Sequence, residues 1–324
     1  MPGIKDVARR ANVSVGTVSR VLAKNETVNP ELREIVETAI RELNFRPNGL
    51  ARGLRRSRSD MIGLVIPDIT NPFFAELAKH VEAIASAAGF SVLLSVSNDD
   101  PQRERTQVES LLNSFPTGII VVPTHRPSAG PWTSDVATVV LDRPFADYPL
   151  ISVDHYGGAG LAARHLLDLG HRRIGYIAGP ADTPVSRQRL AGFRDTLAAG
   201  GVTPLVVEGQ FDYASGETLG RALLDRPAAK RPTAIATASD QQAIGLLRVV
   251  NDLGLAVPGD LSIVGFDDIS LASLVTPRLT TVRQPLDAIA ARAVAAVTGA
   301  GAIPAAPELQ PAMLVVRHST GPVA

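Results

Sequence analysis

The chain has 324 residues, no cysteine, 45% apolar residues, and 32 basic against 32 acidic side chains. That length suits about two domains with an ample core; the lack of cysteine excludes disulfides, cysteine-ligated zinc and thiol catalysis, and no run approaches the roughly 18 apolar residues of a membrane span. Charge is unevenly spread: residues 1–59 hold 12 Lys and Arg against 6 Asp and Glu, and residues 60–324 hold 20 against 26, so a basic arm suited to a polyanion precedes an acidic body.

In chain order, Ile4, Val7, Ala8 and Ala11 form one face of a short helix. Met1 to Arg10 is charged and has no apolar stretch of a secretion signal, so a cytoplasmic location is expected. Asn12 interrupts the pattern, and Ser14 suits the N-cap of a second helix carrying Val18, Val21 and Leu22. A third helix is expected from its N-cap Asn29 and from Pro30, with Leu32, Ile35, Val36, Ala39, Ile40 and Leu43 walling the small core. Three short helices with a tight first turn make a helix-turn-helix. Its second helix is the one that enters a major groove. Pro47 to Leu54, followed by Arg55, Arg56, Ser57, Arg58 and Ser59, reads as a basic interdomain linker.

From Met61 onward short apolar runs alternate with helical patterns. Strands are expected at 62–66, 91–96, 118–122, 136–141, 151–153, 174–178, 205–207, 233–237 and 261–264, and near the end at 313–317. Helices such as 75–88, 161–169, 188–199 and 241–253 lie between them. Strict alternation implies parallel sheets with helices on both faces, and so many strands imply two lobes. Ligands of such sheets bind off the carboxyl ends of the strands. Asp68, Asn98, Thr124, Asp142, Asp154, Phe211, Ser239, Asp240, Asp267 and Asp268 stand there. Carboxylates, an amide, hydroxyls and an aromatic ring suit a small polar ligand such as a sugar. Asp68 and Asp154 are expected to cap loops or meet the other lobe. Gly158-x-Gly160-x-x-Ala163 imitates a dinucleotide fingerprint, but it follows roughly the fifth strand, and close helix packing explains its small residues equally well. The six histidines are scattered; His171-Arg172-Arg173 is expected to be an exposed turn, and no catalytic constellation is visible.

The run IKDVARRANVSVGTVSRVLAKNETVNPELREIVETAIRELNFRPNGLARGL resembles the headpiece and hinge of the lactose-repressor (LacI/GalR) family. The segments GLVIPDITNPFFAEL, VVLDRP, HLLDLGHRRIGYIAGP, SRQRLAGFRDTL, SDQQAIGLLRVVNDLGLAVPGDLSIVGFDD and PRLTTVRQPLDAIA look like its later blocks, so the resemblance covers nearly the whole chain. It implies an all-α helix-turn-helix headpiece plus an α/β core of two doubly wound parallel-sheet lobes, of the periplasmic-binding-protein kind. The expected divisions are 1–46 for the headpiece, 47–59 for the hinge and 60–324 for the core. Within the core, 60–155 with 285–312 would form one lobe, and 156–284 with 313–324 the other.

The resemblance further implies a sequence-specific transcriptional regulator, in the first instance a repressor, whose operator affinity follows a small effector bound between the lobes. It assigns Ser14, Val15, Gly16, Thr17, Ser19 and Arg20 to the operator, with Val15 and Gly16 discriminating between operators. In the hinge it assigns Asn48, Ala51, Leu54 and Arg55, with Leu54 as a minor-groove wedge. It places Phe73, Phe74, Asp142, Arg189, Phe211, Ser239, Gln241 and Asp267 on the effector, with Arg189 paired to Asp267. Departures from the family pattern are Asn12 for a turn glycine, Gly53 for a better helix former, and Ser239 where Asn is common. The expected partners are double-stranded operator DNA, a small effector and a second copy of the chain, because no leucine-heptad extension for a tetramer follows the last strand. No membrane, metal, cofactor or enzymatic activity is expected. A sugar is favoured over a purine or nucleoside. A periplasmic-type sugar-binding protein would require a signal peptide where the headpiece stands, and a nucleoid-structuring protein would have no use for the cleft.

Overall fold

The computed structural model describes residues 2–22, 27–45, 59–125 and 130–323. The chain divides into two compact units, Met1–Ser59 and Asp60–Ala324. In the first, helices α1 (Ile4–Arg10), α2 (Val15–Leu22) and α3 (Pro30–Glu42) enclose a small core. Asn12 takes φ 51°, the left-handed conformation that Asn tolerates better than other non-glycine residues, and this reverses the chain between α1 and α2. Ser14 Oγ accepts from Thr17 N at 3.1 Å, and Asn29 Oδ1 accepts from Glu31 N at 2.8 Å, so both expected caps open their helices. Val7, Val18 and Val36 are fully buried, with Ala8, Ala11, Val21, Val28 and Ala39 around them. Leu32 and Ile35 depart from the expected wall, at 38% and 47% exposure. Leu32 sits in the first turn of α3, and Ile35 lies about 100° around the helix from Val36, which puts it on the flank.

The second unit holds two six-stranded sheets. The first sheet collects β1 (Met61–Ile66), β2 (Ser91–Val96), β3 (Gly118–Val121), β4 (Ala137–Leu141), β5 (Leu150–Val153) and, from near the chain end, β11 (Glu308–Gln310). Its order is β2-β1-β3-β4-β5-β11, all parallel. The second collects β6 (Ile174–Ala178), β7 (Leu205–Glu208), β8 (Ala234–Thr237), β9 (Ser262–Asp267), β10 (Thr280–Arg283) and β12 (Met313–Val315). Its order, β7-β6-β8-β9-β10-β12, repeats the same winding, with only β12 antiparallel to its neighbour. The chain therefore passes between the sheets after β5, after β10 and between β11 and β12.

Helices α4 (Pro72–Ala87), α5 (Pro101–Leu112) and α7 (Pro184–Ala199) each begin with Pro behind a capping Asn71, Asp100 or Thr183. The cap moves the start of α4 to Pro72, earlier than apolar periodicity suggests, and so places Phe73 and Phe74 in its first turn. Helix α6 (His155–Asp168) starts at its cap Asp154. Helices α8 (Tyr213–Leu224), α9 (Asp240–Asp252) and α10 (Leu286–Thr298) complete the layers.

The Gly158-x-Gly160-x-x-Ala163 pattern serves packing. A Cβ on Gly158 would lie 2.9 Å from Ala312 and 3.1 Å from Phe266, and one on Gly160 would lie 2.9 Å from Thr196 Oγ1. The amide of Gly157 is occupied by Asp154, at 2.8 Å. His171 corrects another expectation. It is buried rather than exposed, because Nδ1 meets Thr233 Oγ1 and Nε2 meets Ser262 Oγ, both at 3.0 Å. Arg172 and Arg173 do lie at the surface.

Candidate functional site

The N-terminal end of α2 presents the residues assigned to DNA. Ser14, Gly16, Ser19 and Arg20 are exposed, and Val15 and Thr17 are half-buried. Thr17 Oγ1 shares a hydrogen bond with Ser14 Oγ at 2.9 Å. Val15 rests one side against the headpiece core, whereas Val18 is wholly core. One face of α2 thus holds the headpiece together and the other is exposed. Asn48, Ala51, Leu54 and Arg55 lie outside the described residues.

In the second unit a cavity of about 220 Å³ opens at the carboxyl ends of both sheets. Seven of the eight residues assigned to the effector line it: Phe73, Phe74, Asp142, Arg189, Phe211, Ser239 and Asp267. Gln241, though mostly buried, does not. Its neighbour Gln242 is tied into the scaffold, accepting from Ala238 N at 3.0 Å and donating to Ala178 O at 3.1 Å and Gln210 O at 2.7 Å. Those bonds fasten the loop that carries Phe211. The Phe211 ring also covers Gly179, where an added Cβ would fall 2.3 Å from ring carbons. Phe73 and Phe74 meet edge to face at 5.1 Å between centroids, an arrangement favoured by ring quadrupoles. Ser239 Oγ accepts from Gln242 N at 3.3 Å, so its oxygen is shared with a helix cap. Asp68, expected to cap a loop, does so through Thr70 N at 2.8 Å and also lines the cavity.

Charged groups dominate the two walls. On the first sheet's side, Arg143 donates to Asp142 Oδ2 from Nε at 3.1 Å and from NH2 at 3.0 Å. Burial alone would push the Asp142 carboxyl up. Arg143, the His155 hydrogen bond and the charge of Arg189 together hold it well below the usual carboxylate range instead. On the second sheet's side, Arg189 NH1 lies 3.2 Å from Asp267 Oδ1 and donates to Ala238 O at 2.5 Å. Its guanidinium stands 3.8 Å over the Phe266 ring, an electrostatically favourable placement. Gln284 Nε2 donates to Asp267 Oδ1 at 2.7 Å. Burial outweighs the Arg189 and Gln284 contacts and raises the Asp267 pKa to about 6. Behind it Asp240 is completely buried; burial first and the Asp267 charge next push its carboxyl far up.

Asp142 and Asp267 both adopt positive φ, 68° and 119°. Non-glycine residues held in this strained region cluster at functional sites. Sequence reasoning did not single out Arg143, His155, Gln242 or Gln284. Of these, only Arg143 carried a signal, as the residue after Asp142 in a strand-end segment.

Comparison with known proteins assigns both units. Residues 3–48 match the model of bacterial regulatory proteins of the lacI family, and residues 163–320 match the periplasmic binding protein-like domain. A ribose operon repressor of Halalkalibacterium halodurans is 39% identical over 289 residues, 88% of this chain and 86% of its own length. The chain belongs to the LacI family of bacterial regulatory proteins. The ribose operon repressor of Escherichia coli K12 is 38% identical over 296 residues, 89% of each chain. The crystal structure of the Lac repressor dimer bound to operator and the anti-inducer ONPF superposes with a TM-score of 0.87 at 29% identity, covering 99% of both chains. As a LacI-family member, the chain is a DNA-binding transcriptional regulator under ligand control.

Proposed function

We propose that this regulator is a repressor that binds a pseudo-palindromic operator as a homodimer, and that its effector is a monosaccharide, with D-ribose favoured. In this reading residues 1–46 read the major groove, 47–59 form the hinge with Leu54 as its wedge, and 60–324 sense the effector. One observation carries the sugar assignment. The cleft opposes two carboxylate–guanidinium pairs, Asp142–Arg143 and Arg189–Asp267, across a space of about 220 Å³ flanked by Phe73, Phe74 and Phe211. Carboxylates accept paired hydroxyls, guanidinium forks donate to ring and hydroxyl oxygens, and the rings cover apolar C–H faces. The volume lies below the roughly 300–1,000 Å³ of drug-sized sites, which favours a single sugar ring. The relatives named ribose operon repressors support D-ribose in particular.

The effector residues proposed are Phe73, Phe74, Asp142, Arg189, Phe211, Ser239 and Asp267, with Arg143 added and Gln241, which does not line the cavity, left out. Each of the two guanidiniums in the cleft is paired with a carboxylate, and the reading gives them a binding role. It also places the protein with the chromosome, in the cytoplasm.

A thermal-shift screen of D-ribose, other pentoses, hexoses and purine bases provides the test. A ligand at 100 times its Kd adds about 2.7 kcal/mol to stability. D-Ribose is expected to raise the Tm of the core; a shift with purines alone would overturn the sugar reading.

A further inference from the structure

We propose that His155, which does not touch the cavity, is a positioning residue: it joins Asp142 of one wall to Arg189 of the other and sets which nitrogen of the Arg189 guanidinium meets the effector. The proposal rests on the sugar reading only for its binding measurements. His155 is the first residue of α6, immediately after the chain leaves β5 of the first sheet for the second. It is 2% exposed. Its side chain therefore sits where the two walls meet.

The bonding pattern fixes the tautomer. Arg189 Nε donates to His155 Nδ1 at 3.2 Å. Arginine has no acceptor and does not lose its proton, so Nδ1 must present a lone pair. The proton is then on Nε2, which faces Asp142 Oδ1 at 3.4 Å, Asp142 O at 3.3 Å and Ser152 Oγ at 3.4 Å. Ser152 Oγ itself donates to Asp142 O at 2.9 Å. A doubly protonated ring would set one N–H against another at Arg189. Burial and the Arg189 charge oppose that form as well.

The consequence falls on Arg189. Nε is held by His155, NH1 by Ala238 O and Asp267, and the planar group is stacked on Phe266. Among the described residues NH2 has no hydrogen-bond partner, and Arg189 lines the cavity. The guanidinium thus meets the cleft with Nε and NH1 committed and NH2 free. Replacing His155 by Phe keeps a ring of similar size against Phe266 and removes both nitrogen contacts. Arg189 Nε would lose its partner, and the guanidinium would be free to rotate.

Two measurements test this. In the sugar-free protein, imidazole ¹⁵N shifts of His155 are expected to report the neutral Nε2–H tautomer throughout pH 5.5 to 8. Titration of His155 near its ordinary value, or an Nδ1–H tautomer, would overturn the proposal. Calorimetry with D-ribose then compares wild type, His155→Phe, Arg189→Lys and the double variant, each first shown to be folded by circular dichroism and operator binding. His155→Phe is expected to weaken D-ribose about tenfold to a hundredfold, the scale of one hydrogen bond to a charged group. In the Arg189→Lys background the same change should cost less than about twofold, the non-additivity of residues acting as a unit. Additive losses would show that His155 does not act through Arg189 and would overturn the proposal. Wild-type protein that ignores D-ribose would instead remove the sugar reading, and the ¹⁵N shifts alone would then decide the role of His155.

Discussion

An added Cβ at Gly16 of α2 would meet only Ser14 Oγ, at 3.6 Å, an ordinary contact. Glycine inside a helix costs roughly 0.5–1 kcal/mol against alanine, and nothing in the packing of the headpiece requires it there. In the proposed interface its use is close approach of the backbone to DNA. Gly16→Ala should therefore leave D-ribose binding intact and lower operator affinity; unaltered footprinting of the operator would remove Gly16 from the interface. Asp267 supplies a pH dependence. Its folded pKa is raised to about 6, so the protonated form contributes stability that is complete below about pH 4, the unfolded value, and is lost as pH rises through 6. A sugar hydroxyl donating to the carboxylate favours the ionised form and pulls this pKa down. Effector affinity should accordingly be weaker at pH 5.5 than at pH 7.5, with protons released on binding near pH 6. Calorimetry in buffers of different ionisation heat checks the sign, and proton uptake would contradict it.

At the scale of elements, much was legible because local chemistry and tertiary demand agree. Asn29 and Pro30 announce α3, the apolar runs announce β1 and β6, and the residues at strand ends include Asp142, Phe211 and Asp267. Other features depended on contacts far along the chain. His171 is buried because Thr233 and Ser262 supply partners for both nitrogens, and no local signal marks them. His155 has its role from Asp142 and Arg189, which lie on different elements. Leu32 and Ile35 are apolar at helical spacing yet exposed, since periodicity cannot tell a core face from its flank. The glycines of α6 were ambiguous between a dinucleotide fingerprint and close packing, and Gly192 of α7 carried no local signal. They permit the two helices to touch: a Cβ on Gly192 would fall 2.0 Å from Tyr156 O. Gly192→Ala should thus destabilise the core by about 1–3 kcal/mol, the usual cost of overpacking. Urea unfolding monitored in the core tests this, and a neutral or stabilising change would refute the packing account.

For the whole molecule, the repeated winding of the two sheets matters most for function. Each sheet brings its strand ends and helix starts to the same cleft, so a ligand there contacts both walls at once. Among the described residues three connections link the two sheets, and the walls can shift across them. A ligand that prefers one arrangement of the walls biases it by its differential affinity. Any resulting change in operator affinity must be matched by an equal effect of operator on ligand. The family assignment and the paired charges of the cleft meet in the proposal that a sugar held by Asp142, Arg189 and Asp267 governs DNA binding by residues 1–59. The most direct test is operator affinity at fixed salt, with and without saturating D-ribose, for wild type and Asp267→Ala. The account predicts that D-ribose shifts wild-type operator affinity. Asp267→Ala should bind operator in the absence of sugar yet require about 10- to 150-fold more D-ribose for the same shift, the loss of a charged hydrogen bond of about 1.5–3 kcal/mol. An identical D-ribose response in both proteins would contradict it.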